Sequence, residues 1–287
     1  MNTRLLEKWR EQYNPLRGLT ISRAISLLEG FQRGEMADLQ WCYFFVEQTD
    51  PDLFALVERR TSAIRELDWD IKTPPPRQRR KDFDERLAEE QAAALREAYD
   101  RIDNLNDAFE HLALATFRGY AHLEKHRESR GGAQPEINHL EILDQWNVVR
   151  DGMFDAWKYN PGARLATFDS IDGPALDPAA WVIRDRRRHV NRIGLIKFIR
   201  QNLGQKDWDA FIEIFGIPHP IIIGPANVPE GKEDEYETAA ERVANGSGGY
   251  LPNGSDVKYP DGTRGTAPFR EYMDFLTEKM ILAGTGG

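Results

Sequence analysis

The first part of the chain shows apolar residues at the spacing of α-helices. Thr20 or Ser22 can cap the first helix, because either hydroxyl can accept a hydrogen bond from a free backbone N–H group. The apolar face of this helix is predicted to consist of Ile21, Ala24, Ile25 and Leu28. Residues 36–47 are strongly apolar and aromatic, and Pro51 is suited to the first turn of another helix. The pattern therefore predicts a helical opening.

A short extended segment and a connection follow this helical opening. Residues 68–71 resemble a strand, and Pro74, Pro75 and Pro76 end it. The segment 74–81 joins those prolines to several cations, which is typical of an exposed connection, with a nucleic-acid patch as the alternative.

Two further helices are predicted before the pattern changes. The first is the charged stretch 82–101. The second is 106–117, with Asn106 as a possible cap, apolar residues on one side, and Gly119 as its end.

From residue 119 to residue 183 the chain consists of short β-rich runs separated by turn residues. These runs are INHLEIL, WNVV, FDAWKY, RLATF and WVI. Their length and spacing predict a small, mainly antiparallel sheet.

The last third returns to helical spacing, with an extended run in between. Apolar residues predict helix from Ile193 to Phe215, interrupted only locally at Gly204. Residues 217–224 form a proline-flanked strand, which suits an edge or a close contact between subunits. Acidic residues follow, and the glycine- and proline-rich stretch 243–264 predicts turns with one or two brief strands. A final amphipathic helix starts near Phe269.

Composition narrows the classes of function. With 287 residues the chain can bury a real core. Its single cysteine, Cys42, lies in an apolar run and is predicted to be a buried, inert thiol. No stretch approaches the roughly 18 apolar residues of a membrane span, so no membrane partner is expected. The formal net charge of -9 argues against a surface that grips DNA phosphates broadly.

The motifs of known enzyme classes are weak or absent. His122 and His126 could share a helix face and bind zinc, but the run after Gly119 is predicted to be extended, which would separate the rings. Gly224 and Lys232 lack the spacing of a phosphate-binding loop. No catalytic residue, metal or cofactor is therefore predicted. Two alternatives remain: a metal-dependent intracellular hydrolase or nuclease, and a soluble adaptor that binds a protein through residues 74–81.

A cationic run is the sharpest local feature. It consists of Arg184, Arg186, Arg187, Arg188 and Arg192. These arginines are candidates for contact between subunits or for salt bridges at a helix end, because guanidinium groups pair well with carboxylates in an acidic protein. Contact with DNA phosphates is the other hypothesis.

Several segments, in this order, resemble those of one known protein family. They are DPDLFALVERRTSAIRELDWDI at 50–71, FRGYAHLE at 117–124, LDQWNVV, WKY, WVI at 181–183, and GLIKFIRQNLGQKDWDAFIEIFGIPHPIIIG at 194–224. The last segment is the most specific, since an aromatic acidic helix ends in Phe-Gly-Ile-Pro and enters an extended run. Together they resemble the Mu-like prophage portal family of tailed phages.

The resemblance implies an α+β portal-protein fold, with a helix-rich wing that contains a small antiparallel sheet, stem helices and a small α/β clip. The implied limits are 1–190 for the N-terminal region and wing, 191–216 for the first stem helix, 217–266 for the clip and 267–287 for the start of the second stem helix. Related portals continue into further wing and crown helices, so the chain is expected to lack that C-terminal part.

The implied function is that of a structural subunit of the ring through which DNA enters and leaves a phage head. The implied partners are other copies of the chain in a dodecameric ring, the packaging motor (large terminase), capsid and head-completion proteins, and double-stranded DNA. The implied location is the capsid vertex of the virion, and the bacterial host cytoplasm during assembly. Ile221, Ile222 and Ile223 are the candidate interface of the clip.

Overall fold

The structure is a computed structural model that describes residues 13–129, 135–162, 172–213, 221–223, 231–244, 256–258 and 268–285. The helices within these ranges are α1 (Ile21–Arg33), α2 (Ala37–Thr49), α3 (Pro51–Arg65), α4 (Glu85–Asp100), α5 (Leu105–Ala113), α6 (Ala115–Arg118), α7 (Asn191–Phe211), α8 (Glu233–Ala244) and α9 (Phe269–Thr285). The strands are β1 (Tyr120–Glu128), β2 (Glu136–Leu143), β3 (Val148–Val149), β4 (Lys158–Tyr159), β5 (Trp181–Asp185), β6 (Ile221–Ile223) and β7 (Asp256–Lys258).

Two of the first three helices, α1 and α3, begin at caps that the sequence provides. The Thr20 hydroxyl accepts from the Arg23 N–H at 3.2 Å, so Thr20, one of the two predicted caps, begins α1. The Asp50 carboxylate caps α3, whose first residue is Pro51. Cys42 is fully buried in α2, as predicted, and burial raises the pKa of its thiol to about 12.

The predicted apolar face of α1 was wrong at two positions. Ile21 and Ile25 are exposed, whereas Ala24 and Phe31 are buried. The side of α1 that packs on the core is the one through Ala24, Phe31 and the half-buried Leu28, so the isoleucines lie to the side of the contact.

Two local predictions between residues 66 and 118 were also wrong. Residues 68–71 pair with no strand of the described chain; Arg96 of α4 instead donates to the Asp70 carboxylate at 2.8 Å and to the Ile71 carbonyl. The cap of α5 is Asn104, not Asn106, and its side chain pairs with the Leu140 backbone at 2.7 and 3.0 Å. A long-range partner decides the position in both cases.

The main sheet is small and antiparallel, as predicted. Its strand order is β2-β1-β5, and β3 pairs with β4 in a separate two-stranded ladder. The central strand β1 begins directly after Gly119, whose φ of 101° ends α6 in a left-handed conformation. The predicted RLATF strand at 164–168 lies outside the described residues.

The described chain falls into two compact units. The first contains residues 1–199 and 277–287, and the second contains residues 200–276. The core of the first unit collects residues from α1, α2, α3, α6, β1, α7 and the end of α9, and its largest fully buried side chains include Tyr43, Phe117, Tyr120, Leu195 and Met280.

The second unit contains the later part of α7, the β6–β7 pair, α8 and the first part of α9. α7 runs through Gly204 without a break, and a Cβ at that glycine would meet the Tyr272 ring at 3.5 Å. The Trp208 and Phe269 rings stack with centroids 6.1 Å apart. β6 and β7 are antiparallel, which confirms brief strands in these stretches, whereas α8 was not predicted. Among the described residues, no helix combines the length and apolar character needed to cross a membrane.

Gly34 gives a test of how α1 is joined to the rest of the first unit. It ends α1 with a φ of 99°, and a Cβ there would lie 1.7 Å from the Arg150 carbonyl oxygen. We expect Gly34→Ala to lower the free energy of unfolding by about 3 kcal/mol or more, since left-handed strain and overpacking combine. Chemical denaturation measures this loss.

Gly18→Ala is the matched control. Gly18 also has a positive φ, 71°, but a Cβ there meets nothing within 4 Å. This variant should cost only about 1 kcal/mol, the price of the backbone conformation alone. Equal losses for the two variants would contradict the close approach of Arg150 to Gly34.

Candidate functional site

The cationic run lies where the small sheet passes into the long helix α7. We call residues 184–192 the basic turn. Two backbone hydrogen bonds fasten it to the corner between α6 and β1: the Arg186 N–H donates to the Gly119 carbonyl at 2.7 Å, and the Val190 N–H donates to the Thr116 carbonyl at 3.1 Å. The arginines therefore extend from an anchored segment.

The five predicted arginines have no acidic partner in the described part of the chain. Arg184 is half-buried on β5, and Arg186, Arg187, Arg188 and Arg192 are exposed. Burial, and then the charge of Arg186, lower the pKa of Arg184. The one acid inside the basic turn, Asp185, pairs with Arg150 at 2.7 Å instead. An arrangement of several cations without a counter-charge is open to an external anionic group.

An exposed aromatic side chain adjoins these arginines. The Arg187 guanidinium lies over the Phe154 ring, 4.7 Å from its centroid, and Phe154 is 74% exposed. Sequence reasoning missed this residue because FDAWKY was predicted to be a strand, whereas Phe154 lies in a turn before β4. We call Phe154, Arg186, Arg187 and Arg188 the Arg–Phe patch.

A buried ion pair lies beneath the start of α7. Nε of Arg118 donates to both carboxylate oxygens of Glu47, at 3.0 and 3.1 Å, and another guanidinium nitrogen donates to Gln145 at 2.8 Å. Asn191, the first residue of α7, donates to the same Glu47 carboxylate at 2.6 Å. Both charged side chains are buried. The network therefore joins α2, α6 and α7 through one carboxylate.

A second buried ionic cluster forms around Lys197, six residues after Asn191 in α7. Lys197 donates to both carboxylate oxygens of Asp50, at 3.0 and 2.8 Å, and to Asp52 at 2.6 Å. Thr277 of α9 donates to Asp52 at 2.8 Å. Partial burial raises the pKa of Asp52, but the hydrogen bonds from Lys197 and Thr277 outweigh it and leave that pKa below its ordinary value. One turn of α3 thus holds both long helices.

The two histidines considered as zinc ligands do not come together. Both lie on β1, as the predicted extended run requires, and four residues of strand separate them by about 13 Å. His122 is buried against Trp157, with ring centroids 4.6 Å apart, whereas His126 is exposed beside His139. The described residues contain no group of three His, Cys, Asp or Glu side chains that could hold a metal ion.

The strand predicted at 217–224 is present at its centre. Ile221, Ile222 and Ile223 form β6, which pairs with β7, and Ile223 is exposed. The rest of the predicted strand, at 217–220 and 224, lies outside the described residues.

Comparison with known proteins decides the family. The family model described as the portal protein of Mu bacteriophage matches residues 40–287. The chain belongs to this family.

Curated relatives and solved structures agree with membership of the Mu portal family. The chain is 24% identical over 284 residues to Mu-like prophage FluMu protein gp29 of Haemophilus influenzae, covering 95% of this chain and 52% of that protein. It is 25% identical over 292 residues to the portal protein of Escherichia phage Mu, covering 96% and 54%. This member of the family therefore spans about half the length of the curated relatives that it matches.

Solved structures confirm the predicted α+β portal fold. A chain in the virion of a native gene transfer agent particle superposes with a TM-score of 0.52 at 14% identity, covering 84% of this chain and 67% of the other. A chain in the neck of an empty particle of this kind gives 0.51 at 15% identity, covering 84% and 68%. At these identities the likeness concerns the fold.

Glu47 allows the buried network to be tested. Glu47→Gln keeps the shape but leaves the Arg118 charge without its counter-charge in a buried site, so we expect a loss of about 3 to 5 kcal/mol in the free energy of unfolding. Chemical denaturation measures the loss. The control is Glu90→Gln on α4, which removes the partner of Arg86 in an exposed pair and should cost no more than about 0.5 kcal/mol. Similar small losses for both variants would refute the buried pair.

Three buried histidines predict a loss of stability in acid. Burial lowers the pKa of His122 to about 3, with further lowering by His111 and Arg150, and it lowers the pKa of His111 and of His189 to about 4. The unfolded chain then takes up protons at about pH 6.5, before the folded chain does. The contribution of these histidines to the free energy of unfolding should therefore be fully present above about pH 6.5. It should be lost as the pH falls from about 6.5 towards the lowered pKa values of about 3 and 4.

His122→Phe isolates one of these contributions. Both ring nitrogens of His122 lack a hydrogen-bond partner in the described chain, so an apolar ring loses no bond there. We expect the slope of unfolding free energy against pH, measured by denaturant titration between about pH 6 and 4, to decrease by about 1.4 kcal/mol per pH unit. An unchanged slope would show that His122 titrates normally in the folded protein.

Proposed function

We propose that this chain is a structural, non-enzymatic subunit of a phage portal ring, the DNA channel at the capsid vertex that serves genome packaging and ejection. The match of the Mu portal family model over residues 40–287 carries this proposal. The fold supports it independently, because the chain resembles chains in a gene transfer agent virion and neck.

The arrangement of elements suits the proposed division of the chain. Wing residues would be 1–190, the first stem helix 191–216, the clip 217–266, and the start of the second stem helix 267–287. In support, α7 and α9 are long helices that begin in the two stem segments, and the β6–β7 pair and α8 fall in the clip segment.

The proposed partners are other copies of the chain, in a dodecameric ring, together with the large terminase, capsid and head-completion proteins, and double-stranded DNA. Assembly would take place in the bacterial cytoplasm. The formal net charge of -9 favours a conduit, because a lining that attracts polyanionic DNA weakly lets it pass without sticking. Arg184, Arg186, Arg187, Arg188 and Arg192 would contact a neighbouring subunit or DNA, and Ile221, Ile222 and Ile223 a neighbouring clip.

The mass of the purified protein in solution tests the proposal. Light scattering should give a single species many times heavier than the 33.0 kDa chain, and negative-stain images of the same fraction should show rings with a central hole. The measurement is repeated over about a hundredfold range of concentration, since ring formation follows mass action. A monomer throughout that range, with no rings, would contradict self-assembly by this chain.

A further inference from the structure

The Arg–Phe patch combines two features that are typical of protein interfaces, an exposed aromatic ring and adjacent arginines. Phe154 is the most exposed of the large apolar side chains in the described chain. Beside it stand three consecutive exposed arginines without an acidic partner among the described residues, one of them stacked on the Phe154 ring. An aromatic ring joined to arginines is the composition enriched at the energetic centres of protein interfaces.

The backbone under the patch is firmly held. Arg150, directly before the turn that carries Phe154, is buried, pairs with Asp185 at 2.7 Å and lies 4.2 Å over the Trp157 ring. The Gly152 N–H donates to the Arg33 carbonyl at 3.0 Å. A contact made here loses little backbone entropy, because the ring and the guanidinium groups are already presented together.

Charge decides which surface fits the patch. The chain carries a formal net charge of -9 even with these arginines included, so a second copy offers predominantly acidic surface to them. DNA phosphates would also attract arginines, but they give the phenyl ring no apolar partner, and the acidic remainder of the chain repels DNA.

We infer that the Arg–Phe patch is the surface by which one subunit grips an acidic and partly apolar face of a second copy of this chain. The inference rests on the proposed ring. The patch would hold neighbouring subunits together at the junction of the sheet with α7. The phenyl ring supplies buried apolar area, and the arginines pair with carboxylates of the neighbour.

Two variants of the patch and one matched control test the contact on the full chain. We compare Phe154→Ser and Arg187→Glu/Arg188→Glu with the control Arg59→Glu/Lys72→Glu, which reverses two exposed cations outside the patch. Light scattering gives the concentration of half-assembly. Both patch variants should raise it about tenfold or more, whereas the control should leave it unchanged. Circular dichroism confirms that each variant is folded.

Cross-linking identifies the partner of the patch directly. Arg187→Lys keeps the charge and adds an amine that a carbodiimide can join to a carboxylate at contact distance. In an equal mixture of ¹⁴N- and ¹⁵N-labelled protein, peptides that join a light and a heavy chain through position 187 should appear in mass spectra. Arg86→Lys, whose native arginine pairs with Glu90 in its own helix, should give only links within one chain.

The outcomes separate this inference from the proposed function. Rings that form normally in both patch variants, without mixed-label links at position 187, would overturn the inference and leave the portal ring in place. Normal rings whose patch variants fail only to retain double-stranded DNA would assign the patch to DNA and also overturn it. Wild-type chain that stays monomeric would overturn the proposed ring and this contact together, before any variant is compared.

Discussion

Glu47 and Asp50 hold α7, and the rest of the first unit is arranged around that attachment. Glu47 binds Asn191 and Arg118, and three residues later Asp50 binds Lys197. The two attachment points on α7 are six residues apart, about 9 Å along its axis. Because both carboxylates are buried, a rotation or slide of α7 would leave a charge without a partner in the interior, at a cost of several kcal/mol. The first part of α7 is therefore held in one register against α2 and α3.

Buried charged groups add a penalty against a change of register between α3 and α7. Apolar surfaces tolerate small changes of register, whereas a lysine shared between Asp50 and Asp52 accepts only one. Asp52 also accepts a hydrogen bond from Thr277, so α9 is attached to the same turn of α3 as α7. The first part of α7 and the end of α9 are thus both attached to the first turn of α3. A displacement of one of these helices would therefore disturb the hydrogen bonds of the other.

The sequence predicted the elements whose signals are local. Thr20, Pro51 and Gly119 mark helix ends through their own chemistry, and two of the predicted runs after Gly119, INHLEIL and WVI, lie in the outer strands of the antiparallel sheet. It failed where a distant partner decides. α5 starts after Asn104, whose side chain bonds to the Leu140 backbone and not to the helix, and residues 68–71 meet Arg96 rather than a strand. Among the site residues, the arginines were visible as a run, whereas nothing in the sequence pairs Phe154 with Arg187.

The position of an arginine in this chain decides whether it stabilises the fold or is exposed for contact with another molecule. Arg118 and Arg150 are buried, and each meets a carboxylate and an aromatic ring of its own chain. Arg187 has the ring, Phe154, but no carboxylate among the described residues. A guanidinium stacked on an exposed ring is half of the arrangement that the buried arginines complete internally. In the proposed ring of acidic subunits, a carboxylate of the next copy would supply the missing partner.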